Sequence, residues 1–94
     1  MKKSWVYITT NKHHTVLYAG VTSNLTQRIH QHKNKHFKGF TSKYNSDKLI
    51  YYKEFTSIID AIKYEKTLKA GSRTKKEKLI NEMNPQWKDL SDGW

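Results

Sequence analysis

The chain has 94 residues and no cysteine, which allows one small domain with a thin core and excludes disulfides and thiolate zinc sites. Its 18 Lys and Arg against 8 Asp and Glu leave a net charge of +10, a field that favours a polyanion through counterion release, with nucleic acid first and an anionic membrane surface second. No apolar run approaches the ~20 residues of a membrane helix. No lipid-anchor motif is present, and Met1-Lys2-Lys3-Ser4 is not followed by an apolar stretch of signal-peptide length, so the expected location is the cytoplasm.

Residues 4–10, rich in aromatic and β-branched types, read as a strand. Asn11-Lys12-His13-His14 reads as a turn and residues 15–22 as a second strand. A loop centred between Lys12 and His13 sets Tyr7 directly opposite Tyr18, and opposed residues of an antiparallel pair share a face. A slip of one residue would send the two tyrosines to opposite faces. Ser23 and Asn24 are both good N-caps for a helix running to about residue 33. Residues 34–46 read as a long polar loop carrying Phe37, Phe40 and Tyr44, and residues 48–55 as a third strand.

Ser57 and Asp60 form a capping box that opens a helix to about residue 69, which Gly71 ends. Thr74 and Glu77 form a second capping box, opening a last helix to about residue 83, where Asn84-Pro85 breaks it. Residues 86–94 read as an extended segment on the surface. The order ββαβαα describes an α+β fold: a small three-stranded antiparallel sheet flanked by helices, one domain with its core over about residues 4–90.

Charges fall on faces that should be buried. In the first helix Arg28 and His32 stack four residues apart, within roughly 60° of the apolar Leu25. Taken singly, each has a structural explanation: Arg28 snorkelling at the rim, His32 as a satisfied buried histidine. In the second helix Ile58, Ala61, Ile62 and Leu68 form an apolar stripe with Glu65 in its middle. A carboxylate there is costly without a cation, a metal or hydrogen-bond donors. Two readings stand: an ion pair with Arg28, or a metal ligand, since one carboxylate with waters and phosphate oxygens is a usual way to hold Mg²⁺. The five histidines have no zinc spacing, and no phosphate-binding loop, dinucleotide fingerprint or nucleophile elbow is present. The basic run Lys69, Arg73, Lys75, Lys76 and Lys78 can track a phosphate backbone or simply form a solvated face.

The ordered set Val6-Tyr7-Ile8, Leu17-Tyr18-Ala19-Gly20-Val21-Thr22, Arg28, His32 and Glu65, closed by Asn84-Pro85-Gln86-Trp87-Lys88-Asp89-Leu90, resembles the GIY-YIG nuclease superfamily. It is most similar to the small single-domain bacterial members, over nearly the whole chain. The resemblance implies a three-stranded antiparallel sheet flanked by helices, cleaving phosphodiesters with one divalent metal, Mg²⁺ or Mn²⁺. Relatives include the nicking domain of the bacterial excision-repair nuclease and some homing and restriction endonucleases. Tyr7 and Tyr18 match the signature tyrosines, Arg28 the family arginine and Glu65 the metal-binding glutamate. His32 matches a position filled by histidine or tyrosine, and Asn84 the C-terminal asparagine, with Asn81 close by. The chain departs from the pattern in lacking the first motif's glycine and isoleucine, in Ala19, and in Val21 where some members carry lysine.

The resulting expectation is a metal-dependent endonuclease hydrolysing DNA. Glu65 holds the ion, Arg28 the scissile phosphate, and a tyrosine helped by His32 takes the proton of the attacking water. Lys43, Tyr44, Lys69, Arg73, Lys75 and Lys76 are the candidate nucleic-acid contacts, with Phe40 and Tyr44 able to stack on bases. Two rival readings are a binding module that keeps the fold without efficient catalysis, and an RNA-associated basic protein.

Overall fold

A computed structural model describes residues 2–34 and 45–94. Strands β1 (Ser4–Thr10), β2 (Leu17–Thr22) and β3 (Lys48–Phe55) form an antiparallel sheet in the order β2-β1-β3. β1 lies in the middle and is buried along nearly its whole length, because its alternating side chains meet helices on both faces. Helix α1 (Leu25–Lys33) covers one face, with Leu25 and Ile29 packed beside Tyr7 and Leu49. Helices α2 (Ile58–Ala70) and α3 (Arg73–Met83) cover the other, where Val6, Ile8, Ala19, Ile50 and Tyr51 meet Ala61, Leu68 and Ile80. No described helix is long and apolar enough to cross a membrane.

The hairpin register differs from the expected one. Tyr7 lies opposite Gly20, and Tyr18 opposite Thr9. The cause is the connection, which runs from Asn11 to Val16. Asn11 Oδ1 accepts from the amides of Thr15 (2.8 Å) and Val16 (3.4 Å), and His14 takes a left-handed conformation at φ 57°. The shift relative to a four-residue turn is even, so the face assignment survives it: Tyr7 and Tyr18 share a face. On the other side of β1 a bulge between Ile8 and Thr9 passes Ile50 over. It lets the consecutive Ile50 and Tyr51 both join the α2–α3 cluster while Leu49 joins the α1 cluster.

Three further expectations are corrected. The buried stripe of α2 is turned by roughly 60° from the one expected: Ala61 and Leu68 are buried, whereas Ile58 and Ile62 are 46% and 37% exposed. Tyr64 sets this rotation, its hydroxyl 2.8 Å from Tyr51's and its ring 5.3 Å from Phe55's. The N-cap of α3 is Ser72, which accepts from the Lys75 amide at 3.3 Å, and not Thr74. Gly71 and Ser72 turn the chain at once, and Glu77 is drawn to Arg73 Nε at 2.9 Å. The C-terminal segment is a run of turns and not an extended strap. The Leu90 amide donates to the Leu49 carbonyl (2.7 Å), and Asp89 accepts from the Leu49 amide (3.2 Å), which closes part of the exposed edge of β3. Lys33 Nζ holds Asp89 Oδ2 at 2.6 Å. Burial alone would raise the Asp89 carboxyl; hydrogen bonds from Lys33 and Ser91 outweigh it and hold the group below the usual range.

Candidate active site

Tyr7 leaves β1 on the α1 face and leans across β2. A Cβ on Gly20 would stand 2.5 Å from the Tyr7 Cζ and hydroxyl oxygen, so only glycine lets the ring pass. Tyr18, two residues earlier on β2, points to the same face, with ring centroids 6.5 Å apart. Asn24 caps α1, accepting from the Gln27 amide at 3.1 Å. That start places Leu25, Ile29 and His32 along one inward stripe. The His32 ring is 5.6 Å from Tyr7's and 5.7 Å from Tyr18's, completing a triangle of rings. Its Nε2 lies 3.0 Å from the Tyr7 hydroxyl. Arg28, one turn earlier, hydrogen-bonds the same hydroxyl.

This arrangement orients a proton. Arginine only donates, so the Tyr7 oxygen accepts from Arg28 and its own O–H can be given to His32 Nε2. Burial pushes the Tyr7 phenol well up; the nearby Tyr18 adds to this, Arg28 opposes it by charge and hydrogen bond, and Glu65 raises it further. Burial, and then the charge of Arg28, bring His32 down to about 4. Both groups are therefore neutral near pH 7.

Glu65 comes from the other side of the sheet, at the margin of α2's buried face, and its side chain is 13% exposed. Its charge is the last of the influences that raise the Tyr7 phenol. Lys69, one turn on, lies 3.1 Å from Glu65 Oε2 with its Nζ 5.7 Å over the Tyr18 ring. Lys69 also lines, with Lys76, Leu17, Tyr18 and Ala19, a groove at the edge of β2. Sequence reading put Lys69 only among the backbone contacts; its i+4 spacing from Glu65 is the signal that ties it to the carboxylate. Among the described residues no group of three or more His, Cys, Asp or Glu converges as a metal cage. A hard carboxylate that already receives an ammonium group, from a lysine that lines the groove, fits Mg²⁺ or Mn²⁺ held with waters and phosphate oxygens.

The remaining candidates lie elsewhere. Asn84 caps the end of α3 and spends its side chain on backbone: Nδ2 donates to the Ile50 carbonyl (3.2 Å) and the Lys88 carbonyl (2.7 Å), and Oδ1 accepts from the Lys88 amide (3.0 Å). Asn81 accepts from the Trp87 indole at 2.7 Å. Arg73 clasps the hairpin connection, donating to the carbonyls of His14 (2.5 Å) and Thr15 (3.2 Å). Lys75 is exposed. Lys43 and Tyr44, with Phe37 and Phe40, lie outside the described residues.

A family model described as the GIY-YIG catalytic domain matches residues 3–78. The chain is 34% identical over 82 residues to a UPF0213 protein of Staphylococcus saprophyticus, and equally to one of Staphylococcus haemolyticus. Each match covers 87% of this chain and 99% of the relative. The solution NMR structure of the UPF0213 protein BH0048 from Bacillus halodurans superposes with a TM-score of 0.60 at 25% identity, covering 97% of this chain and 96% of that one.

Proposed function

The chain belongs to the GIY-YIG catalytic domain family, and from that premise we propose that it is a metal-assisted endonuclease hydrolysing DNA phosphodiester bonds. The observation that carries the reading is the Tyr7 hydroxyl, buried and hydrogen-bonded to both His32 and Arg28. A phenol kept for packing needs neither a cation nor a base beside it.

Arg28 binds a non-bridging oxygen of the scissile phosphate and offsets the charge of the pentacoordinate transition state. The attacking water gives its proton to the Tyr7 oxygen while Tyr7 passes its own to His32 Nε2, so no free phenolate is required. Bound phosphate screens Arg28, one of the two causes that hold His32 down, and His32 becomes more basic when substrate is in place. Tyr18 packs against both rings and fixes their geometry. Glu65 would hold the divalent ion, through the carboxylate that Lys69 contacts in its absence. When bound, the ion supplies Lewis-acid stabilisation of the charge developing on the leaving oxygen. The net charge of +10 supplies the long-range attraction to DNA.

The test is nicking of supercoiled plasmid with Mg²⁺ or Mn²⁺, using Glu65→Ala and Arg28→Ala as controls. Metal-dependent product from wild type alone supports the enzyme. Equal trace nicking by wild type and Glu65→Ala sinks it, and salt-sensitive retention on DNA without metal-dependent product then points to the binding module.

A further inference from the structure

Ile58 and Ile59 are consecutive, sit on the first turn of α2, and are 46% and 63% exposed. Scattered surface isoleucines need no explanation, but these two form one wall of a pocket of about 650 Å³. Val21 of β2 contributes to the same apolar lining, and Lys2 and Arg28 supply the positive charge. Arg28 thus serves two places: its guanidinium reaches the Tyr7 hydroxyl, and it lines this pocket.

We propose that the pocket receives one nucleotide of the substrate, its base turned out of the stack against Ile58, Ile59 and Val21 while Arg28 holds the adjoining phosphate. The inference rests on the reading of Arg28 as the phosphate-binding residue. The occupant must pair a negative charge with an apolar face, in a volume suited to a single small ligand, and in a chain of charge +10. A nucleotide meets all three conditions. The base contact would be sequence-tolerant, because every base has an apolar face and the wall is aliphatic. The base can come from a single strand or be everted from a duplex; the chemistry at the wall is the same.

The test measures binding in EDTA, where cleavage does not intervene. A 12-nucleotide DNA is compared, single-stranded and as a duplex, with the same backbone carrying abasic residues at its centre. For wild type the natural strand binds about tenfold more tightly than the abasic one, and the side-chain methyl NMR signals of Ile58 and Ile59 move saturably with the natural strand. An Ile58→Gln, Ile59→Gln double variant, changed only at exposed positions, loses this preference and keeps its salt slope. A response from the single strand alone assigns the source to unpaired DNA, and a response from both forms assigns it to eversion as well; either supports the pocket. Equal affinity for natural and abasic strands, or unmoved Ile58 and Ile59 signals at saturation, overturns it. Base-dependent binding in a protein that fails the plasmid assay would retain the pocket and reject the nuclease.

Discussion

Two buried tyrosines stand on opposite faces of the same sheet and have opposite company. Tyr51, on the α2–α3 face, meets the Tyr64 hydroxyl at 2.8 Å among Val6, Ile8 and Ile80. Burial raises its phenol first, and the hydrogen bond and charge of Tyr64 raise it further, with Glu82 adding to the same direction; nothing opposes. Tyr7, on the α1 face, is also raised by burial, but Arg28 pulls against that rise and His32 Nε2 lies 3.0 Å away. The difference teaches that burial by itself marks a core residue. Burial together with an opposing cation and a base is what supports the proton-passing role proposed for Tyr7.

The largest effect should separate the two phenols by activity. Tyr7→Phe should lower metal-dependent nicking by about 10²- to 10⁴-fold, the range for losing a positioned acid–base group. Tyr51→Phe should leave nicking at the wild-type rate and cost about 1 kcal/mol of stability for its hydrogen bond. Stability alone would not distinguish them, since Tyr7→Phe also strands partners. Single-turnover nicking beside urea unfolding of both variants makes the comparison. If Tyr51→Phe is as damaging to the rate as Tyr7→Phe, the distinction between the faces is wrong.

His32 sharpens the comparison through pH. Its pKa is brought from 6.5 unfolded to about 4 folded. Above pH 6.5 it is neutral in both states and has no effect. As pH falls from 6.5 toward 4 the unfolded chain takes up the proton first, so stability falls, by up to about 3 kcal/mol in total. His32→Gln should abolish that part of the slope in urea unfolding between pH 7 and 4.5. A variant with the wild-type slope would mean that His32 is not held neutral by its site.

How much of this was legible in the sequence depends on the physics each residue obeys. Strand and helix positions followed from local rules: β-branched and aromatic residues in β1, mainly aromatic ones in β3, and side-chain caps at Asn24 and Ser57. The shared face of Tyr7 and Tyr18 was legible although their pairing was not, because a face depends on parity and the exact register on how Asn11 folds the connection. The rotation of α2 was not legible. Ile58, Ile59 and Ile62 are more apolar than Tyr64, and only the tertiary contacts of Tyr64 with Tyr51 and Phe55 decide which side turns inward. Glu65 was singled out by its cost on an apolar stripe whose Ile58 and Ile62 prove exposed, and it lies at the margin of the buried face; Lys69's place at Glu65 and above Tyr18 needed coordinates.

Gly20 tests whether the Tyr7 side depends on close approach. Gly20→Ala would drive a Cβ to 2.5 Å from the Tyr7 ring carbon and hydroxyl oxygen, so the ring must move away from its hydrogen bonds. The expected cost is about 1–3 kcal/mol of stability, with nicking reduced more than stability explains. Gly71→Ala is the matched control: its new Cβ would approach nothing closer than the Thr67 carbonyl at 3.4 Å. Similar losses in both variants would show that the ring's passage over β2 is not a special constraint.

The smallest expected effect concerns the charges rather than the phenols. Arg73 belongs to the helices of the Tyr51 side, and although the basic run it sits in could track DNA, its guanidinium is engaged by the His14 and Thr15 carbonyls and by Glu77. A donor set committed to the hairpin connection has little left for phosphate. Arg73→Ala should therefore lower stability by under about 1 kcal/mol, as exposed polar contacts do, and leave the slope of log binding constant against log salt unchanged. Lys69→Ala, at the edge groove beside Tyr18, should reduce that slope by about 0.9 for the phosphate contact removed. Filter binding of one duplex over a salt series measures both. A fall of about 0.9 for Arg73→Ala would extend the DNA path from the groove at the edge of β2 to the hairpin connection and show that its contacts there do not withhold it from phosphate.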